Sequence, residues 1–273
     1  MRDKYAAALD GDALDLGELR RWFYSDQLTI TEIEVPLRGR VPAMLAREFD
    51  GLPSGEKVQA TAWRLIGQMN GVLFATSASR KPVRVLGVYE RTADGGWGPM
   101  GAYATGRISG SGRVRAYAEA IGADGLPSPA AAEAPRQAAW FALASGADDP
   151  NPAADVLRAL SSEPDWSDLW KAEEVMHPTK DRIPDWPESE IEWFRQTATL
   201  YRHSPSSVHV QGPKNPKKQG RDGAKKHGRD GAKQWLAKYH KPEMELDAAR
   251  RLIASVAAQW LDWKATPREA KAG

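Results

Sequence analysis

Arg202, His203 and His209 place an arginine and two histidines close together in the chain. An arginine can hold a phosphate group through paired hydrogen bonds, and a histidine can exchange a proton near neutral pH. On one continuous helix, residues seven apart lie on the same side, two turns apart. The residue types and their spacing are therefore suited to holding a scissile phosphate and moving its proton without a metal ion.

This motif resembles the signature of HEPN-type ribonucleases, which are all-helical and commonly act as dimers in toxin and defence systems. The resemblance includes the flanking helices expected at about 166–202 and 243–264. It implies phosphate stabilisation by Arg202, a polar supporting role for His203 and acid–base work by His209. A broader pattern resembles an uncharacterised bacterial family and implies no activity: Asp-Trp-x-x-Leu-Trp-Lys at 165–171, followed by Glu-Ile-x-x-Phe-x-x-Thr-Ala at 190–198 and by Arg202-His203.

Pro205 interrupts this motif, because a proline inside a helix removes a hydrogen bond and costs roughly 3 kcal/mol. The run Ser204-Pro205-Ser206-Ser207 therefore predicts a helix end. His209 would then follow the helix in a loop, without the fixed geometry that acid–base catalysis requires. For this reason catalysis is the alternative hypothesis here and binding is the preferred one.

The motif is the start of a basic, glycine-rich segment at 202–241, which carries eleven Lys or Arg against two Asp. The string Gly-Arg-Asp-Gly-Ala-Lys occurs twice within it, at 220–225 and 228–233. Large apolar side chains are scarce, so we expect a disordered loop at about 203–241. Its cations can neutralise phosphates, and we assign nucleic-acid contact to eight of them: Lys214, Lys217, Lys218, Arg221, Lys225, Lys226, Arg229 and Lys233. The competing interpretation is a surface insertion expanded by duplication, which costs little in an already long loop.

Two other groups of residues have functional and structural interpretations. His177 shares a helix face with Trp166, Trp170 and either Glu173 or Glu174. A glutamate and a histidine at this spacing allow acid–base or metal chemistry. We interpret the group as an aromatic core stripe with a polar rim. The glycines of 106–113 lack the order of a phosphate-binding loop, so we interpret them as a strand connection.

The composition limits the remaining classes of function. The chain has 273 residues, 41% of them hydrophobic, and no cysteine, which excludes disulfides, thiolate zinc sites and a cysteine nucleophile. We see neither an apolar signal-peptide core nor a run of the roughly 20 residues needed to span a bilayer. We therefore expect a cytoplasmic protein with no membrane contact, and we assign it no cofactor and no metal site.

We predict that residues 1–122 form a small α+β module of unknown role. After a short helical start, 27–35 is rich in Ile, Thr and Val and predicts a strand. Apolar residues from Val58 to Leu73 recur every three or four positions and predict a helix. Gly71 lies inside this pattern and favours an early end of the helix. Residues 82–90 and about 100–108 predict two further strands, joined by a turn at 94–96.

A Pro- and Ala-rich linker at 123–135 separates this module from an all-helical one at 136–265, and 266–273 forms a disordered tail. Helices are predicted at 136–145, 153–162, 166–176, 188–202 and 246–261, and the late tryptophans are expected as core anchors. The fold class is α+β. The preferred function is a non-catalytic bacterial binding protein whose basic loop contacts RNA or DNA. The alternatives are a HEPN-like metal-independent ribonuclease and a protein-partner module that forms a homodimer.

Overall fold

A five-stranded antiparallel sheet in the order β2-β3-β1-β4-β5 organises the first half of the chain. The structure, a computed structural model, describes residues 4–36, 38–77, 81–100, 134–146, 150–201, 219–239 and 241–266. The strands are β1 (Tyr5–Asp10), β2 (Leu28–Val35), β3 (Gly39–Ala46), β4 (Arg84–Arg91) and β5 (Trp97–Pro99). The helices are α1 (Ala13–Trp22), α2 (Arg47–Asp50), α3 (Gly55–Thr76), α4 (Ala134–Ser145), α5 (Pro152–Ala159), α6 (Trp166–Met176), α7 (Glu188–Tyr201), α8 (Gln219–Lys238) and α9 (Leu246–Ala265), and a 3-10 helix spans His177–Arg182. The mixed α+β class is confirmed.

The predicted helical start is present as α1, but the central strand β1 precedes it and was not predicted. Its side chains alternate between two cores: Tyr5, Ala7 and Leu9 pack on the helix side, and Ala6 and Ala8 pack on the opposite side. Alanine favours helices in isolation, but here both faces of the strand are covered and space is short. Tertiary packing therefore outweighs local helix propensity.

The face of the sheet away from the helices has its own small core. Tyr89 and Trp97 are its largest members, and Ile33, Val35 and Val41 complete its aliphatic part. The sheet curls strongly enough for β2 and β5 to contact each other. A curled sheet encloses these side chains in the way that a barrel fills its interior.

Most predicted elements are confirmed. β2 matches the strand predicted at 27–35, and β4 matches the one at 82–90. The predicted turn contains Gly95 at φ 88°, a left-handed conformation that glycine adopts without strain. The following strand is β5 at Trp97–Pro99. Residues 101–108, where that strand was expected, lie outside the described part of the chain.

The predicted helices of the second half correspond to α4, α5, α6, α7 and α9, and α6 matches its predicted bounds. Asp165 caps α6 by accepting hydrogen bonds from the Ser167 and Asp168 N–H groups, at 2.8 Å and 3.0 Å. α3 continues to Thr76, so the prediction that Gly71 ends it early is wrong. Gly71 instead lies at a close crossing between α3 and α5.

The prediction of a disordered basic loop is wrong for 219–238, which form α8. Ala232 and Leu236, one turn apart on α8, are buried against Leu200 of α7. This short apolar stripe is sufficient to pack the helix, although glycines and cations dominate its sequence. Residues 202–218 lie outside the described residues, as do most of the predicted linker and of the predicted tail.

One hydrophobic core joins the two halves of the chain. It includes Tyr5 and Phe49 from the first half and Trp140 and Trp260 from the second. α3 packs against α4, α5 and α9. The predicted division into two separate modules is therefore not confirmed. Among the described helices, none is both long enough and apolar enough to cross a membrane.

Asn70 fastens α3 to the start of β4. Its side-chain Nδ2 donates to the Val83 carbonyl at 2.8 Å, and its Oδ1 accepts from the Val83 N–H at 2.9 Å. We expect Asn70→Ala to lower the free energy of unfolding by about 2 kcal/mol, because it leaves buried backbone groups unpaired. Urea unfolding measures this loss. Gln59→Ala, at a half-buried position of the same helix, is the control; an equally large loss there would contradict the assignment.

Candidate functional site

The residues of the HEPN-like motif, Arg202, His203 and His209, lie outside the described residues, and their predicted roles stay predictions. The helix that leads to them, α7, ends at Tyr201. The Tyr201 hydroxyl contacts the carboxylate of Glu243, which ties this end of α7 to the segment before α9.

The eight cations assigned to nucleic acid fall into three groups. Lys214, Lys217 and Lys218 lie outside the described residues. Arg221, Lys225 and Lys226 lie within α8. Arg229 and Lys233 also lie on α8, and their side chains are exposed. Five of the eight therefore belong to one helix, where a loop was predicted.

The C-terminal half of α8 has an apolar anchor and an exposed cationic surface. Ala232 and Leu236 are 1% and 5% exposed and fasten the helix to α7. Arg229 and Lys233, which are four residues apart, lie on the same side of the helix and point into solvent. Asp230 is the only acid among the described residues 229–239, so the surface is net positive.

Two aromatic rings lie further along the chain than these cations, at the C-terminal end of α8. Trp235 and Tyr239 are one turn apart, with ring centroids separated by 4.7 Å, and Tyr239 is 52% exposed. The Lys238 ammonium lies 5.3 Å from the centre of the Tyr239 ring. On the adjoining segment, the Lys241 ammonium lies 5.0 Å from the Trp193 ring of α7. We refer to Arg229, Lys233, Lys238 and Tyr239, which are exposed around the C-terminal half of α8 and the residue after it, as the α8 surface.

A cation set beside an exposed aromatic ring can bind a single-stranded nucleic acid in two ways. The cations neutralise phosphates and release counterions, and the ring offers a surface on which a base can stack. The charges, Trp235 and Tyr239 are all visible in the sequence. It carried no signal for the contact of Lys241 with Trp193, which depends on the packing of two separate segments.

A buried charge cluster lies at the C-terminal end of α6. The Glu173 side chain is 0% exposed, although the sequence interpretation placed it in a polar rim. The His177 Nδ1 lies 2.8 Å from Glu173 Oε1, and the Arg195 Nε lies 3.4 Å from Oε2. Both distances fit ion pairs, yet neither carboxylate oxygen receives a hydrogen bond of ordinary geometry. The carboxylate is therefore compensated mainly by charge.

Burial raises the pKa of the Glu173 carboxyl, and the charges of Arg195 and His177 oppose this increase. Arg195 also stacks over Trp170 at 5.5 Å, and His177 meets the edge of Trp186. This cluster joins three elements, because α6, the 3-10 helix and α7 each contribute a charged side chain.

The geometry favours a structural role for this cluster over acid–base catalysis. The Arg195 Nη1 lies 3.5 Å from His177 Nε2, and His177 Nδ1 faces the Glu173 carboxylate. Both ring nitrogens therefore face charged groups within the protein. The part of the chain described here contains no group of three or more His, Asp or Glu side chains that could hold a metal ion.

Comparison with known proteins gives no matching family model, no similar curated protein and no similar solved structure. The glycine-rich stretch 106–113 lies outside the described residues.

Proposed function

We propose that this protein binds single-stranded nucleic acid through the α8 surface. The observation that supports this proposal is the exposed Lys238 beside the half-exposed Tyr239 ring, at the end of a helix that is anchored by buried residues and that also presents Arg229 and Lys233 to solvent. Anchoring matters because cations on an ordered helix lose less conformational freedom on binding than cations on a free chain. The remaining basic residues of 202–228 would extend the same positive region along the chain.

Binding of this kind depends on ionic strength. Each phosphate neutralised on a single strand contributes about 0.7 to the slope of log K against log salt concentration. A double variant, Arg229→Gln with Lys233→Gln, is therefore expected to reduce that slope by about 1.4 for a single-stranded RNA probe. Fluorescence anisotropy at several salt concentrations measures both affinity and slope.

The matched control is Lys57→Gln with Lys81→Gln, which removes the same net charge from exposed lysines outside α8. The proposal requires the α8 pair to matter more than this control pair. Equal losses in the two variants would show that only the net charge matters, and absence of RNA binding by the wild-type protein would overturn the proposal. Tyr239→Ala should weaken binding further, by about 1–3 kcal/mol if one base stacks on the ring.

The same probe separates binding from cleavage. If the wild-type protein cleaved RNA in the presence of a chelator, and Arg202→Ala and His209→Ala did not, the alternative ribonuclease hypothesis would be supported. Intact probe in all three samples would leave binding as the function.

A further inference from the structure

A cavity of about 370 Å³ lies where the C-terminal end of α3, the first turns of α4 and the middle of α9 meet. This volume is within the range of small-molecule sites. Five of its lining residues are polar, and none is acidic: Thr76, Arg136, Gln137, Arg251 and Ser255. The lining therefore carries two guanidinium groups, of which Arg136 is paired with Asp262, and it is rich in hydrogen-bonding groups.

Arg136 is held in place before any ligand binds. Its Nε and Nη2 donate to the two carboxylate oxygens of Asp262 at 2.8 Å and 2.6 Å. Its guanidinium also lies 4.8 Å from the centre of the Trp140 ring, and Trp140 Nε1 donates to Asp262 at 3.0 Å. A guanidinium fixed in this way loses little conformational entropy when it contacts an anion.

Two other lining groups have binding capacity that the described residues do not use. Arg251 is exposed and has no ion-pair partner in the described part of the chain. Gln137 is 1% exposed, and its Oε1 is buried without a hydrogen-bond partner among the described residues. A buried carbonyl oxygen left without a donor is unfavourable, so a ligand that supplies a donor would favour rotation of the Gln137 side chain toward the cavity.

The two helix ends at the cavity differ in polarity. The first N–H groups of α4, a helix of 12 residues, have no partners within the helix and favour a negative group. The last carbonyl groups of α3 near Ala75 and Thr76 favour hydrogen-bond donors. The cavity is thus suited to a ligand with an anionic group at one end and hydroxyl groups at the other.

We propose that this cavity binds a small sugar phosphate, with the phosphate held by Arg136 and Arg251 and a sugar hydroxyl donating to Gln137 Oε1. Guanidinium groups match the oxygen geometry of a phosphate, which supports this assignment. The site is separate from the α8 surface and does not depend on nucleic-acid binding.

Isothermal titration calorimetry of the full chain with ribose 5-phosphate, ribose and inorganic phosphate tests the proposal. We expect ribose 5-phosphate to bind most tightly, inorganic phosphate more weakly and ribose not at all at millimolar concentration. Arg251→Gln should weaken ribose 5-phosphate binding at least about tenfold, since a charge-assisted hydrogen bond is lost. Arg47→Gln, at an exposed position away from the cavity, is the control and should bind like the wild-type protein.

Gln137→Leu tests the hydroxyl contact separately. It should weaken ribose 5-phosphate binding while leaving inorganic phosphate unchanged, and its melting temperature shows whether the variant is folded. The proposal is overturned if ribose 5-phosphate releases no heat on mixing or if Arg251→Gln binds it as tightly as the wild-type protein. It is also overturned if ribose alone competes equally well. Unchanged RNA binding by Arg251→Gln would distinguish this site from the α8 surface.

Discussion

Gly71→Ala is expected to destabilise the protein by about 3 kcal/mol, the upper part of the usual range for overpacking a core. A Cβ atom at residue 71 would lie 2.3 Å from the Leu157 carbonyl oxygen and 2.7 Å from its Cα. These are backbone atoms of α5, so no side-chain rotation can relieve the clash. α3 and α5 would have to separate, which disturbs the core between them. The urea midpoint measures the loss.

Gly67→Ala, one turn earlier on α3, is the matched control. The added Cβ would lie 3.9 Å from the Ser161 Cβ, an ordinary contact distance. Alanine is a better helix former than glycine, so we expect this variant to gain about 0.5–1 kcal/mol. If the two variants had equal stability, the close crossing of α3 and α5 would be refuted.

Arg195→Ala is expected to cost about 3 kcal/mol at mildly alkaline pH, the lower end of the range for breaking a buried pair. The Glu173 carboxylate would remain fully buried and would lose its guanidinium partner. Arg158→Ala is the control, because the Arg158 side chain is 73% exposed and pairs with Asp155 on the surface. An exposed pair of this kind contributes about 0–1 kcal/mol.

The effect of Arg195→Ala should depend on pH. The pKa of Glu173 is raised in the folded protein, so folding takes up a proton, and stability falls as pH rises through this pKa. Removing Arg195 raises the pKa of Glu173 further and widens the pH window of the loss. The variant should therefore approach wild-type stability as the pH is lowered toward the pKa of an ordinary glutamate.

The double variant Arg195→Ala with Glu173→Gln provides the decisive comparison. Without a carboxylate there is no buried charge to compensate, so this variant should be more stable than Arg195→Ala at alkaline pH. Thermal unfolding at several pH values measures the difference. A loss in Arg195→Ala that is unchanged by pH and by Glu173→Gln would mean that Arg195 acts through packing alone.

Apart from α8, the helices of the second half could be predicted from the sequence because their apolar periodicity is a local signal. The period of α9 is one example. β1 was not predicted, because Ala6, Ala7 and Ala8 favour a helix until both faces of the strand are covered. α8 was not predicted because its buried stripe consists of few residues, and the partner of this stripe, Leu200, lies in a different helix.

The candidate sites could be predicted only in part, because they too depend on contacts between distant segments of the chain. The spacing of Glu173 and His177 on one helical face was visible in the sequence, but Arg195 reaches them from α7. No local pattern joins Thr76, Gln137 and Arg251, which come from three distant segments and meet only in the folded chain. The charge of the α8 surface was predicted from composition, whereas its helical order depends on tertiary packing.

The curl of the sheet affects how the protein behaves at high protein concentration. Among the described strands, β2 and β5 end the hydrogen-bonding order, and the exposed borders of ordinary sheets are where strands of other molecules attach. Here β5 has only three residues, and the two borders approach each other. A foreign strand would find little room to join, so this architecture itself discourages growth into fibrils at high concentration.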